Sequence, residues 1–112
     1  MSNTYRVQNP VTNEVVETFN TATDAEIEAA LAKSAAAFQE WSTRPISERA
    51  EIMTRVSELF EERKEELAKI AGDEMGKLHS EGIEEAEFSA AIIKYYADLS
   101  LIHISEPTRP LY

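Results

Sequence analysis

Few side chains in this chain could do chemistry, and they are scattered. There is no cysteine, which removes a thiolate nucleophile, a disulfide framework and a thiolate zinc site together. His79 and His103 are isolated, and neither completes an HExxH or Glu-x-x-His pattern. Ser34, Ser47, Ser57 and Ser89 have no histidine at a spacing that would build a Ser-His-Asp site. The three glycines, Gly72, Gly76 and Gly82, form no phosphate-cradling loop. Glu81, Glu84, Glu85 and Glu87 could in principle hold a cation, the first three on one helix face. A solvated first turn at the positive end of the helix dipole accounts for them better. Trp41, Tyr95 and Tyr96 could make an aromatic platform, but beside aliphatic residues at helical spacing they read as core. The sequence therefore assigns no catalytic, cofactor-binding or metal-binding residue.

The elements that would position such groups are organised around residues 46–77. Ile52, Val56, Leu59, Phe60, Leu67 and Ile70 recur at offsets of three, four and seven, one apolar stripe along a helix. Glu51 and Arg55 stand four apart, acid first, the favourable order for an ion pair on an exposed face. Ser47 is the expected N-cap, following Pro45. The spacing predicts a helix over 47–75 with a break near Glu62–Lys64, where charge is densest, and an end at Gly76.

Ahead of it, Tyr5–Asn9 and Glu14–Phe19 read as two strands joined by the turn Asn9-Pro10-Val11-Thr12-Asn13. Asn13 tolerates the positive φ of a hairpin tip. Thr23-Asp24-Ala25-Glu26 spells a capping box, so a helix is expected over 24–41 with Ile27, Leu31, Phe38 and Trp41 on its face. A last helix is expected over 80–98, with Ile83, Ala86, Ala90, Ile93 and Ala97 on one side. Phe88, Ile92, Tyr95 and Tyr96 lie on the other. These apolar faces exceed what three helices can hide among themselves. The expected class is mainly α with an N-terminal β-hairpin.

Composition narrows the partners. With 21 Asp and Glu against 11 Lys and Arg in 112 residues, charge opposes binding to nucleic acid or anionic lipid. The first ten residues lack the apolar run of a signal peptide, and no stretch is long enough to span a membrane, so a cytoplasmic location is expected. The last fourteen residues drop the helical period. Leu99 to Arg109, LSLIHISEPTR, resembles the conceptual translation of a transposon-end adaptor used in sequencing libraries. Leu99–Tyr112 is accordingly expected to be a non-native tail without a role, joined to a gene cut at about Asp98. The alternative is a native tail docking as a strand through Leu101, Ile102 and Ile104.

Six short motifs then occur in a telling order. They are Asn9-Pro10-x-Thr12-x-Glu14, the Thr23-capped alanine-rich helix ending in Phe38 and Trp41, and Glu48-Arg49-Ala50. Glu61-Glu62-Arg63, Glu74-Met75-Gly76-Lys77 and Tyr95-Tyr96-Ala97 complete the set. From about Tyr5 to Asp98 the chain resembles the N-terminal segment of NAD(P)-dependent aldehyde dehydrogenases, most of all the succinate-semialdehyde branch. Asn13 stands where that family usually has glycine, and either suits a turn. The resemblance implies that residues 1–98 are an incomplete part of an α/β fold, flanking the sheet of its Rossmann-like cofactor domain.

It also implies a parent, a homo-oligomer using NAD or NADP. There a cysteine thiolate attacks the aldehyde, hydride passes to the nicotinamide, and water hydrolyses the thioester. The cysteine, the general-base glutamate, the oxyanion asparagine and the phosphate-binding glycines would lie outside this chain. Its partner would be the remainder of its own fold, and by itself it would bind no cofactor. Family members often hold a monovalent cation near the Asn-Pro turn and the residue matching Glu74, although a capping or salt-bridge role for Glu74 is the simpler expectation. The competing reading is a stand-alone acidic helical module that binds a protein partner.

Overall fold

A computed structural model describes residues 4–100. It shows β1 (Thr4–Gln8), β2 (Val15–Asn20), α1 (Asp24–Thr43), α2 (Ile46–Glu62), α3 (Lys64–Met75) and α4 (His79–Leu99). The strands pair antiparallel, Tyr5 opposite Phe19 and Val7 opposite Glu17, with a bulge between Val7 and Gln8. Asn13 takes φ 66° at the tip, and its side-chain oxygen accepts from Gln8 Nε2 at 2.6 Å. Asn9 Oδ1 accepts from the backbone N–H groups of Val11 and Thr12, an Asx turn that folds the Asn-Pro segment on itself. His103 and nearly all of the expected tail lie outside the described residues.

The capping box at Thr23 forms as expected. Thr23 Oγ1 accepts from the Glu26 N–H at 3.1 Å, and Glu26 reaches back to the Thr23 N–H. The expected N-cap at Ser47 does not form. Pro45 occupies that position with no side-chain cap, and its carbonyl accepts from Glu48 and Arg49. The fixed proline φ already matches a helix entrance, so the chain turns two residues earlier. The expected break falls at Arg63, with φ −106° and ψ 19°, splitting the long helix into α2 and α3. Arg55 pairs with Glu58 and Glu62 at 3.1 and 3.0 Å, not with Glu51, because two carboxylates on its C-terminal side outcompete one on the other. Gly76 ends α3 in the left-handed region at φ 72°.

The core departs from the expected large-residue stripe. α4 packs along α2 and α3, and the buried side chains there are small: Ala50, Ser57, Ala68, Ala86, Ala90 and Ala97. Val56, Leu59, Phe60 and Leu67 are half-buried, while Ile52 and Ile70 are exposed. Small residues let two helix backbones approach closely. At Gly82 an added Cβ would sit 3.0 Å from both Cα and Cβ of Ala68. Ser57 Oγ donates to the Ala90 carbonyl at 2.7 Å across this seam.

Helix α1 buries none of its residues. Ile27, Leu31, Phe38 and Trp41 stand exposed along it, as do Phe88, Ile92, Tyr95 and Tyr96 on α4. The radius of gyration, 19.0 Å, exceeds the about 13 Å of a compact domain of this length. None of the described helices is long and apolar enough to cross a membrane.

Candidate functional site

Two concavities of the described structure bear on the residues considered above. The first lies where the hairpin meets the end of α3. Pro10 Cγ and Val11 Cγ2 sit 3.1 and 3.6 Å from where a Cβ on Gly76 would stand, so the Asn-Pro turn rests on the αL glycine. Beside that contact, Glu74 and the strand residues Tyr5 to Gln8 line a cleft of about 530 Å³. The expected capping or salt-bridge role for Glu74 is absent, since its carboxylate pairs with no described residue. Lysines on the same helix are taken by other acids, Lys69 by Asp73 at 2.8 Å and Lys64 by Glu61 at 2.9 Å. Among the described residues, no group of three or more histidine and carboxylate side chains could hold a metal ion.

The second lies between α2 and α4, with the end of α1 at its rim. Trp41, Ile46, Met53, Ile92 and Tyr96 wall an apolar groove of about 450 Å³ that contains Arg49. Arg49 Nε is buried with no hydrogen-bond partner. Glu48 and Glu51 flank Arg49 in sequence, and for that reason it reads there as one more charge on a solvated face. The sequence marks Arg49 only as part of the Glu48-Arg49-Ala50 motif and assigns its side chain no role.

The remaining groups considered for chemistry are spent on structure. His79 Nε2 lies 2.8 Å from Glu65 Oε2, tying α4 to α3. Of the acidic run, Glu81 lies in the first turn of α4 as expected. Glu85 and Glu87 instead meet lysines from outside the helix, Lys77 and Lys64. Hydrogen bonding to these carboxylates holds both ammonium groups protonated above their ordinary range, Lys64 chiefly through Glu61. Tyr95 and Tyr96 meet edge to face at 5.3 Å, while Trp41 lies under the Arg44 guanidinium and shares the lining of the groove with Tyr96 but not Tyr95. Ser57 is committed to the Ala90 carbonyl.

Comparison with known proteins gives this geometry its setting. The succinate-semialdehyde dehydrogenase [NADP(+)] of Deinococcus radiodurans is 41% identical over 103 residues, which is 92% of this chain and 22% of the relative. The mitochondrial succinate-semialdehyde dehydrogenase of Arabidopsis thaliana is 35% identical over 95 residues, 85% of this chain and 18% of the relative. The crystal structure of succinic semialdehyde dehydrogenase from Streptococcus pyogenes in complex with NADP+ matches with a TM-score of 0.81 at 30% identity. That match covers 86% of this chain and 21% of that one. The chain thus spans about a fifth of the length of these relatives, and nothing supports the reading as an unrelated helical module. The sequence model described as the aldehyde dehydrogenase family matches residues 1–110, and with helix order, hairpin and sequence in agreement, the chain belongs to that family.

Proposed function

We propose that residues 1–98 are the opening segment of the cofactor-binding domain of an NAD(P)-dependent aldehyde dehydrogenase, with succinate semialdehyde as substrate. The observation that carries this reading is the 41% identity to the Deinococcus radiodurans enzyme across nearly the whole chain. In this reading Leu99–Tyr112 contributes nothing. The working enzyme is a cytoplasmic homo-oligomer, and the partner of these helices is the rest of their own fold.

The residues present do not fit a dinucleotide. A pyrophosphate is held by N–H groups at a helix N-terminus entered through a glycine turn from a parallel strand. Here Gly72 lies within α3, Gly76 ends it, and Gly82 is pressed against Ala68. Each described helix also carries carboxylates in its first turn, Asp24 and Glu26, Glu48, Glu65 and Glu66, and Glu81. Those charges already use the positive end of each dipole and would repel phosphate. No catalytic step runs through these side chains. Their contribution is a flank, made of exposed apolar faces on α1 and α4, against which a larger fold is built.

Calorimetric titration of the purified chain with NAD+ and with NADP+, alongside an assay with succinate semialdehyde, tests this. The expected result is no saturable heat and no turnover above a buffer blank. Micromolar binding, or turnover, would overturn it.

A further inference from the structure

We propose that two copies of this chain pair through the exposed face of α1, antiparallel about a two-fold axis at Ser34. The observation behind it is that α1 buries none of its residues, while Ile27, Leu31 and Phe38 are 48%, 61% and 68% exposed. At about 100° per residue these three, Ser34 and Trp41 fall within roughly 80° of one helix side, and no charged residue falls among them. Most of the stability of a helix in a protein comes from packing such a face. The pairing belongs to the chain by itself, and a larger fold built on the same face would displace it.

A two-fold interface is self-complementary, each position answered by another at equal distance from the axis. The large residues of α1 meet that condition about Ser34. Ile27 stands seven positions before it and Trp41 seven after, Leu31 three before and Phe38 four after. Their alternating spacing of four and three is that of a coiled-coil seam. Ser34, small and at the centre, lets the two backbones approach. A different protein would have no need of this symmetry.

The ends complement each other as well. Asp24 lies ten positions before Ser34 and Arg44 ten after, so an antiparallel pair sets each Asp24 near the Arg44 of the other copy and opposes the two helix dipoles. Arg44 lies over the Trp41 ring at 5.9 Å, which holds its charge at the end of the seam. Glu28 and Glu40 also come opposite each other, but both stand about 120° round the helix from Ser34, and Glu40 is already paired with Arg44 at 2.8 Å. Of the net charge of −10, residues 24–44 hold little, four acids against two bases. The remainder is screened beyond about 8 Å at physiological salt. A stripe one helix wide and about 30 Å long is at the small end of specific interfaces, so the pair is weak.

The chain has no cysteine, so a single introduced one reports the contact. Ser34→Cys should oxidise to a covalent dimer at least about tenfold faster than Ala36→Cys, on the opposite side of α1, at equal concentration and pH. Sedimentation equilibrium of the unaltered chain should give monomer at about 5 µM and mainly dimer at about 1 mM. Leu31→Glu together with Phe38→Glu should leave the far-UV circular dichroism unchanged, since both side chains are exposed, and keep the chain monomeric at both concentrations. A monomer at every concentration, equal cross-linking rates, association that survives the double substitution, or growth past the dimer would each overturn the proposal. None of these results bears on the family reading, which rests on sequence and fold.

Discussion

Adding one methyl group at Gly82 and one at Gly72 should move stability in opposite directions. Both glycines lie in helices, and on helix propensity alone alanine gains up to about 1 kcal/mol at each. Around Gly72 the new Cβ would meet only the Lys77 carbonyl oxygen at 3.5 Å, an ordinary contact. Gly72→Ala should therefore stabilise the chain by about 0.5–1 kcal/mol. At Gly82 the Cβ would stand 3.0 Å from the Cα and the Cβ of Ala68. Carbon atoms prefer about 3.5–4.0 Å, and neither partner atom belongs to a side chain that can swing aside. α3 and α4 must separate, opening the seam that buries Ala68 and Ala86. Overpacking of this kind costs about 1–3 kcal/mol, so the net loss for Gly82→Ala is about 0.5–2 kcal/mol after the propensity gain. At roughly 4 °C or more per kcal/mol for a chain this small, thermal unfolding followed by far-UV circular dichroism resolves both shifts. A raised midpoint for Gly82→Ala would show that α3 and α4 do not approach as closely as described.

Other expectations follow from single contacts. Thr23→Ala removes the side-chain half of the capping box, the Oγ1 acceptor for the Glu26 N–H, and costs α1 about 1 kcal/mol. Because α1 buries nothing, the loss should appear as faster amide exchange over residues 24–30 with the main unfolding midpoint unmoved. Ser57→Ala deletes the buried bond to Ala90 and should lower stability by about 0.5–1.5 kcal/mol, read from the same thermal curves. On the acid side, two hydrogen bonds from Arg63 at 2.9 and 2.8 Å hold the Glu66 carboxyl below its usual range. Its contribution is complete above the unfolded carboxylate value of about 4.3 and disappears as pH falls through the lower folded value. Glu66→Gln should therefore flatten the decline of the midpoint below pH 4.5 or so, by a small amount for so exposed a pair. An unchanged decline would show that this pair contributes nothing.

What the sequence made legible were features set by neighbours along the chain. The Thr23–Glu26 box, the Asn13 turn, the break within Glu62–Lys64 and the Gly76 stop all depend on residues at most four apart, and all appear where expected. The Ser47 cap was misread for a local reason as well, since Pro45 alone sets the entrance to α2. The core was less legible. Periodicity arguments weigh large apolar residues, whereas α2, α3 and α4 meet through Ala50, Ala68, Ala86 and Ala90, chosen for closeness of approach. The large residues at the expected positions are instead half-buried or face outward. Arg49 entered only as part of the Glu48-Arg49-Ala50 motif, since the burial of its unpaired Nε is a property of the folded chain.

The central claim is that these helices are one flank of an aldehyde dehydrogenase and carry none of its chemistry. The most direct measurement is the steady-state oxidation of succinate semialdehyde by a full-length chimera carrying residues 1–98 in place of the matching segment of the Deinococcus radiodurans enzyme. The account predicts kcat and KM within about tenfold of the unaltered enzyme, a barrier difference of under about 1.4 kcal/mol, because no group that touches substrate or cofactor has been exchanged. A chimera that folds and assembles like its parent but has lost turnover would contradict it.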